Sequence, residues 1–203
     1  MKTKDIIEEN NRRLGEISAV YNPITGEGST SVERIKINIE DFPITSIHLP
    51  CRMAEMPHIK QLSSMGATEY LRKVNNVEAN DHNIIRLWLD FCLERIKHDF
   101  EYWARSMTTI SDKGKGRDTP FTLNRPQRIY LKALEELRLA DKPIDIILLK
   151  ARQWGGSTLT QLYMLWVQLV HKRNWNSVIC GDIEKQSSIV AGMLAKVISR
   201  YPT

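Results

Sequence analysis

The sequence predicts an α/β fold: a partial parallel sheet with helices in its crossovers, preceded by a mostly helical N-terminal region. Three observations carry this. An apolar run, Ile144, Ile146, Ile147, Leu148 and Leu149, ends abruptly at Lys150. A glycine turn, Gly155-Gly156-Ser157-Thr158, follows and opens into a long apolar stretch. From Arg125 onward, strand-patterned and helix-patterned segments alternate, which favours parallel strands joined by right-handed crossovers.

The elements follow in chain order. Residues 2–14 are charged with a thin apolar face (Ile6, Ile7, Leu14) and read as a helix. Residues 21–31 are rich in Asn, Pro, Gly, Ser and Thr and read as a loop. Over 33–39, Ile35, Ile37 and Ile39 alternate with Arg34, Lys36 and Asn38, the period of a half-buried strand. Pro43, Pro50 and Pro57 make 41–60 read as irregular, and a short helix fits 66–74. From 83 to 107, Ile84, Leu87, Trp88, Phe91, Cys92, Ile96, Phe100 and Trp103 recur with helical period and form one broad apolar face. Lys113-Gly114-Lys115-Gly116-Arg117 is a basic loop, solvated or touching nucleic-acid phosphates. A helix over 126–139 has Pro126 in its first turn, where a missing N–H costs nothing. Strand 144–149, a loop, a helix over 157–172, a strand over 176–181 and a helix over 183–200 complete the pattern.

The strand–loop–helix at 144–158 has the layout of a P-loop, in which backbone amides and a helix N-terminus hold nucleotide phosphates. Against the pattern G-x-x-x-x-G-K-[ST], Gly155 fills the second glycine and Ser157 the hydroxyl position. Gly156 stands where the lysine belongs, and Lys150 where the first glycine belongs. The chemistry requires a cation near the β/γ-phosphates, a hydroxyl on Mg²⁺, and amides that can approach the anion. Lys150 can supply the charge from the other rim of the loop, with Arg152 as a second cation. Ser157, or Thr158 behind it, can supply the hydroxyl. The same residues also fit an ordinary strand–turn–helix with solvated basic side chains.

Lys150-Ala151-Arg152-Gln153-Trp154-Gly155-Gly156-Ser157-Thr158 resembles the deviant Walker A loop of tailed-phage terminase large subunits, whose lysine can open the loop. Phe121-Thr122-Leu123-Asn124-Arg125-Pro126-Gln127-Arg128 resembles the adenine-binding Q motif of the same proteins and of related helicase-like ATPases. Asp99 to Ala104, followed by Ile110-Ser111-Asp112-Lys113, resembles their lead-in but carries no assigned chemistry. The resemblance spans residues 95–195. It implies a P-loop NTPase domain of RecA/helicase-like type that binds ATP and Mg²⁺ and powers packaging of double-stranded DNA. By this carry-over, Lys150 neutralises β/γ-phosphate charge and Arg152 couples nucleotide state to motion. Gln153, Trp154, Gly155, Gly156, Ser157 and Thr158 line the nucleotide, and Ser157 meets Mg²⁺ through its hydroxyl. Gln127 reads the adenine edge, with Phe121 packing beside it. Implied partners are the portal protein, the small terminase subunit and further copies of the chain.

Composition narrows the alternatives. The chain has 203 residues and a formal net charge of +5, a mildly basic balance that suits handling of DNA. Three dispersed cysteines, Cys51, Cys92 and Cys180, argue against a zinc knuckle or a disulfide scaffold, and a reducing cytoplasm is the simple reading. Five histidines have no metal-ligand spacing. Residues 159–170 are too short to span a bilayer, so no membrane partner is expected. After Gly156 the acidic residues are Asp182 and Glu184, and neither ends an apolar strand as a Walker B carboxylate does. The expected organisation is therefore an N-terminal region over 1–82, a helical lead-in and basic loop over 83–120, and over 121–203 the start of an ATPase domain. Its metal carboxylates and nuclease would lie downstream. A helicase-like ATPase and a non-catalytic adaptor with a decayed P-loop are the competing readings.

Overall fold

The computed structural model describes residues 3–18, 21–112, 116–149, 154–172, 174–180 and 184–202. Helix α1 (Thr3–Ser18) comes first. The alternating isoleucines then form β1 (Arg34–Asn38), paired antiparallel with β2 (Ser46–Pro50) so that Ile37 lies opposite Ile47. Ile37 and Ile39 are buried while Ile35 stays exposed.

Residues 41–45, around Pro43, are irregular as expected, but most of 46–60 is strand or helix. Pro50 ends β2 and caps α2 (Cys51–Ala54), and Pro57 opens α3 (Pro57–Met65). Each lies where its missing N–H has no ladder or helix partner to lose. Helix α4 (Ala67–Lys73) follows.

The expected single helix over 83–107 is two, α5 (Asp81–His98) and α6 (Phe100–Met107). They break at Asp99, whose backbone is extended and whose carboxylate caps Tyr102 N at 3.3 Å. A hairpin of β3 (Thr109–Asp112) and β4 (Arg117–Pro120) flanks the basic loop. Lys113 and Lys115 lie outside the described residues. Beyond the hairpin come α7 (Arg125–Leu139), α8 (Gly156–Trp166), a π-helical turn (Val167–His171) and α9 (Glu184–Ser199).

The parallel P-loop sheet is not there. Among the described residues, strands occur only in the two antiparallel ribbons β1–β2 and β3–β4. Residues 142–149 and 175–180 have no regular secondary structure, and among the described residues no backbone hydrogen bond joins them to each other or to any strand. Only the inward side of the first segment is used: Ile146 packs on the core, whereas Ile147 and Leu149 are fully exposed. The two segments instead border one cavity of about 370 Å³ with Tyr130, Tyr163 and Met164. The expected strand over 144–149 thus meets a neighbour on only one of its faces.

Two apolar clusters organise the chain. One gathers β1, β2 and α2–α4 around Ile39, Ile47, Leu49, Met53 and Ile59, with Phe91 of α5. The other packs Phe100, Trp103, Leu131, Leu159, Leu162 and Trp166. Helix α5 spans both, contributing Phe91 to the first and Ile96 to the second. Among the described residues no helix is long and apolar enough to cross a membrane.

Candidate functional site

The Q-like motif and the glycine turn meet. Asn124 caps α7 by accepting from Gln127 N at 2.9 Å, and Gln127 Oε1 accepts from Asn124 N at 2.9 Å, a reciprocal capping box. The donor ends of both carboxamides then reach across to the turn. Asn124 Nδ2 donates to the Trp154 carbonyl at 3.0 Å, and Gln127 Nε2 donates to the Gly155 carbonyl at 2.9 Å. Two segments 28 residues apart in sequence are thereby clamped at the start of α8.

Gly155 requires its lack of a side chain. Its φ is 83°, in the left-handed region, and a Cβ there would come 2.5 Å from Gln127 Nε2. At Gly156, a Cβ would come 2.7 Å from the Trp154 ring, so the indole lies directly over the first residue of α8. Trp154 in turn meets Tyr130 edge to face, with centroids 6.3 Å apart. Together with Pro126, Ile129, Ile146 and Leu148 they line an open apolar cavity of about 460 Å³.

Among the described residues no side chain caps α8. The amides of Gly156, Ser157 and Thr158 thus stand at the positive end of the helix dipole, and Ser157 is exposed on that first turn. This donor set suits phosphate oxygens, and a hydroxyl beside it suits a metal riding on them. Thr158 is half-buried, with Oγ1 3.8 Å from Met193 Sδ.

The remaining expected residues fall elsewhere. Lys150, Arg152 and Gln153 lie outside the described residues, as does Asp182. Phe121 is 2 % exposed inside the second cluster, remote in character from a base-stacking surface. Gln127 is 3 % exposed, and both ends of its amide are bonded within the chain. In this state it holds the loop; reading an adenine would require it to exchange those bonds. Among the described residues no group of three His, Cys, Asp or Glu is placed to hold a metal ion. At the hairpin, Asp118 binds Lys196 at 2.9 Å and Arg200, and these hydrogen bonds, Lys196 first, draw its pKa down to about 2.

A second polar centre was not found from the sequence. Arg34 grips Asp99 with two bonds of 2.8 Å and reaches Glu101 Oε2 at 2.9 Å and the His48 carbonyl at 3.0 Å. Arg95 Nε adds a 2.9 Å bond to Asp99, and its Nη1 bonds the Ile24 carbonyl. Ser29 Oγ donates to Glu101. Burial alone would raise the pKa of Asp99, but Arg34 and Arg95 hold it at about 2. Burial raises that of Glu101, with Arg34 opposing. No sequence signal links these groups, because Arg34 and Asp99 are 65 residues apart.

Compared with protein-family models, with curated proteins and with solved structures, the chain finds no match in any of the three.

Proposed function

We propose that this chain is the ATP-binding portion of a terminase large subunit, acting in the host cytoplasm to power packaging of double-stranded DNA. The observation that supports this most is the contact between its two motifs. Asn124 and Gln127 hold the carbonyls of Trp154 and Gly155 at the N-terminus of α8. The reading rests on that pair and not on a parallel sheet.

In this reading the amides of Gly156, Ser157 and Thr158 donate to phosphate oxygens at the helix N-terminus. Ser157 offers its hydroxyl to the phosphate-bound Mg²⁺, and Lys150 and Arg152 bring the compensating positive charge. Trp154 and Tyr130 form an aromatic wall beside the phosphates. The portal protein, the small terminase subunit and further copies of the chain are the partners this reading calls for. When bound, ATP would supply the β–γ phosphoanhydride whose hydrolysis drives translocation; this chain's own residues would bind and orient it.

Titration of the full chain with Mg²⁺ and a non-hydrolysable ATP analogue, followed calorimetrically, tests the reading. Saturable binding, weakened at least about tenfold by Lys150→Ala, is expected, since one lost charge contact is worth about 1.4 kcal/mol or more. Binding that is absent, or indifferent to Lys150→Ala, overturns it. The closed amide of Gln127 favours a second reading, a scaffold in which the clamp is purely structural, and absence of nucleotide binding would select it.

A further inference from the structure

Helix α5 presents a second, unexplained surface. Its inward face supplies Phe91 and Arg95 to the interior. Its outward face carries Ile85, Leu89 and Leu93, which are 53 %, 55 % and 58 % exposed. Their i, i+4, i+8 spacing makes them one continuous ridge. Beside that ridge run Arg86 and Asp90, one turn apart and both exposed. Neither is engaged in an ion pair or side-chain hydrogen bond among the described residues, although α1, α4 and the end of α5 carry several such i,i+3 and i,i+4 pairs.

We propose that this face of α5 is a self-association surface that seats a second copy of the chain antiparallel about Leu89. The argument is charge complementarity under twofold symmetry. A twofold axis through Leu89 places Ile85 of one copy against Leu93 of the other, so the ridge is apolar against apolar along its length. The same axis keeps the Arg86–Asp90 flank on one side of both helices. Asp90 of each copy then lies alongside Arg86 of the other, about 3 Å apart along the axis at 1.5 Å per residue. Two reciprocal ion pairs form from charges that have no other partner. An isologous contact needs this one surface to match only itself, and it does. The ridge is short, so the dimer is a weak one of small area.

This inference rests on α5 alone and uses no residue of the nucleotide site. Sedimentation of the full chain over about a hundredfold concentration range should show a reversible monomer–dimer equilibrium. Leu89→Arg, which brings two like charges together on the axis, should weaken the dimer by more than about a hundredfold. Asp90→Arg should weaken it by about tenfold. The double exchange Arg86→Asp with Asp90→Arg should restore it to within about threefold of the parent. These positions are exposed, so unchanged circular dichroism checks that each variant folds. Ile147→Lys separates this contact from association through the exposed 142–149 segment, and should leave the dimer intact. A chain that stays monomeric throughout, a dimer indifferent to Leu89→Arg, or a double exchange that fails to restore association each overturns the proposal. So does association lost with Ile147→Lys.

Discussion

Arg34 is a cation with 6 % of its side chain exposed, whereas Ile147 and Leu149 are apolar residues wholly exposed. The region around Arg34 pairs most of its buried charge, leaving Arg34 Nε and Glu101 Oε1 without a hydrogen bond. Two carboxylates, a second guanidinium, two carbonyls and a serine hydroxyl surround one another out of water. Along residues 142–149 the reverse holds: side chains suited to burial face solvent, and the backbone has no ladder. Polarity by itself does not decide what is buried. A charge can be buried where opposite charges and hydrogen bonds meet it, and an isoleucine stays exposed where no surface comes to meet it.

The contrast can be broken most strongly at Arg34. Arg34→Met leaves Asp99 and Glu101 buried without their shared cation and should cost about 3–5 kcal/mol in urea unfolding. A loss under about 1 kcal/mol would mean that water reaches the cluster. Gly26→Ala should follow. Its φ is 76°, and a Cβ would come 2.2 Å from the His48 carbonyl oxygen that Arg34 also binds. More than about 2 kcal/mol is expected, because the left-handed backbone and a fixed oxygen both resist it.

Acid offers a gentler probe. The native pKa of Asp99, about 2, is below its unfolded value near 4, so its contribution is complete above about pH 4. That contribution, on the order of 2 kcal/mol, is lost as pH falls from about 4 to 2. Denaturant midpoints across that window should drop in the parent and drop less in Asp99→Asn, already destabilised at neutral pH. At the other region, Leu149→Thr should change stability by less than about 0.5 kcal/mol, as for any exposed side chain. A larger loss would reveal that something covers the segment.

What the sequence disclosed and what it withheld divide along the same line. The helical face of Leu87, Phe91, Phe100 and Trp103 could be read because its signal is local and periodic. The 83–107 break could not, since what makes Asp99 a cap and not a helix interior is Arg34, 65 residues away. The Asn124–Gln127 capping box has a local spacing that sequence reading can detect. The onward bonds to Trp154 and Gly155, which turn it into a clamp, are tertiary. The 144–149 run was overread for the opposite reason. An apolar run gives the tendency to pair and is silent about whether a neighbouring strand is present.

The span between Arg34 and Glu101, 67 residues, also sets an order of events in time. A chain emerging from the ribosome exposes β1 and β2 long before α6, at about 5–20 residues per second. For several seconds the guanidinium has no carboxylate to meet and must stay hydrated. The first apolar cluster therefore cannot close over Arg34 until the start of α6 has left the exit tunnel. Residues 21–50 are thus made before residues 51–101 and locked only after them.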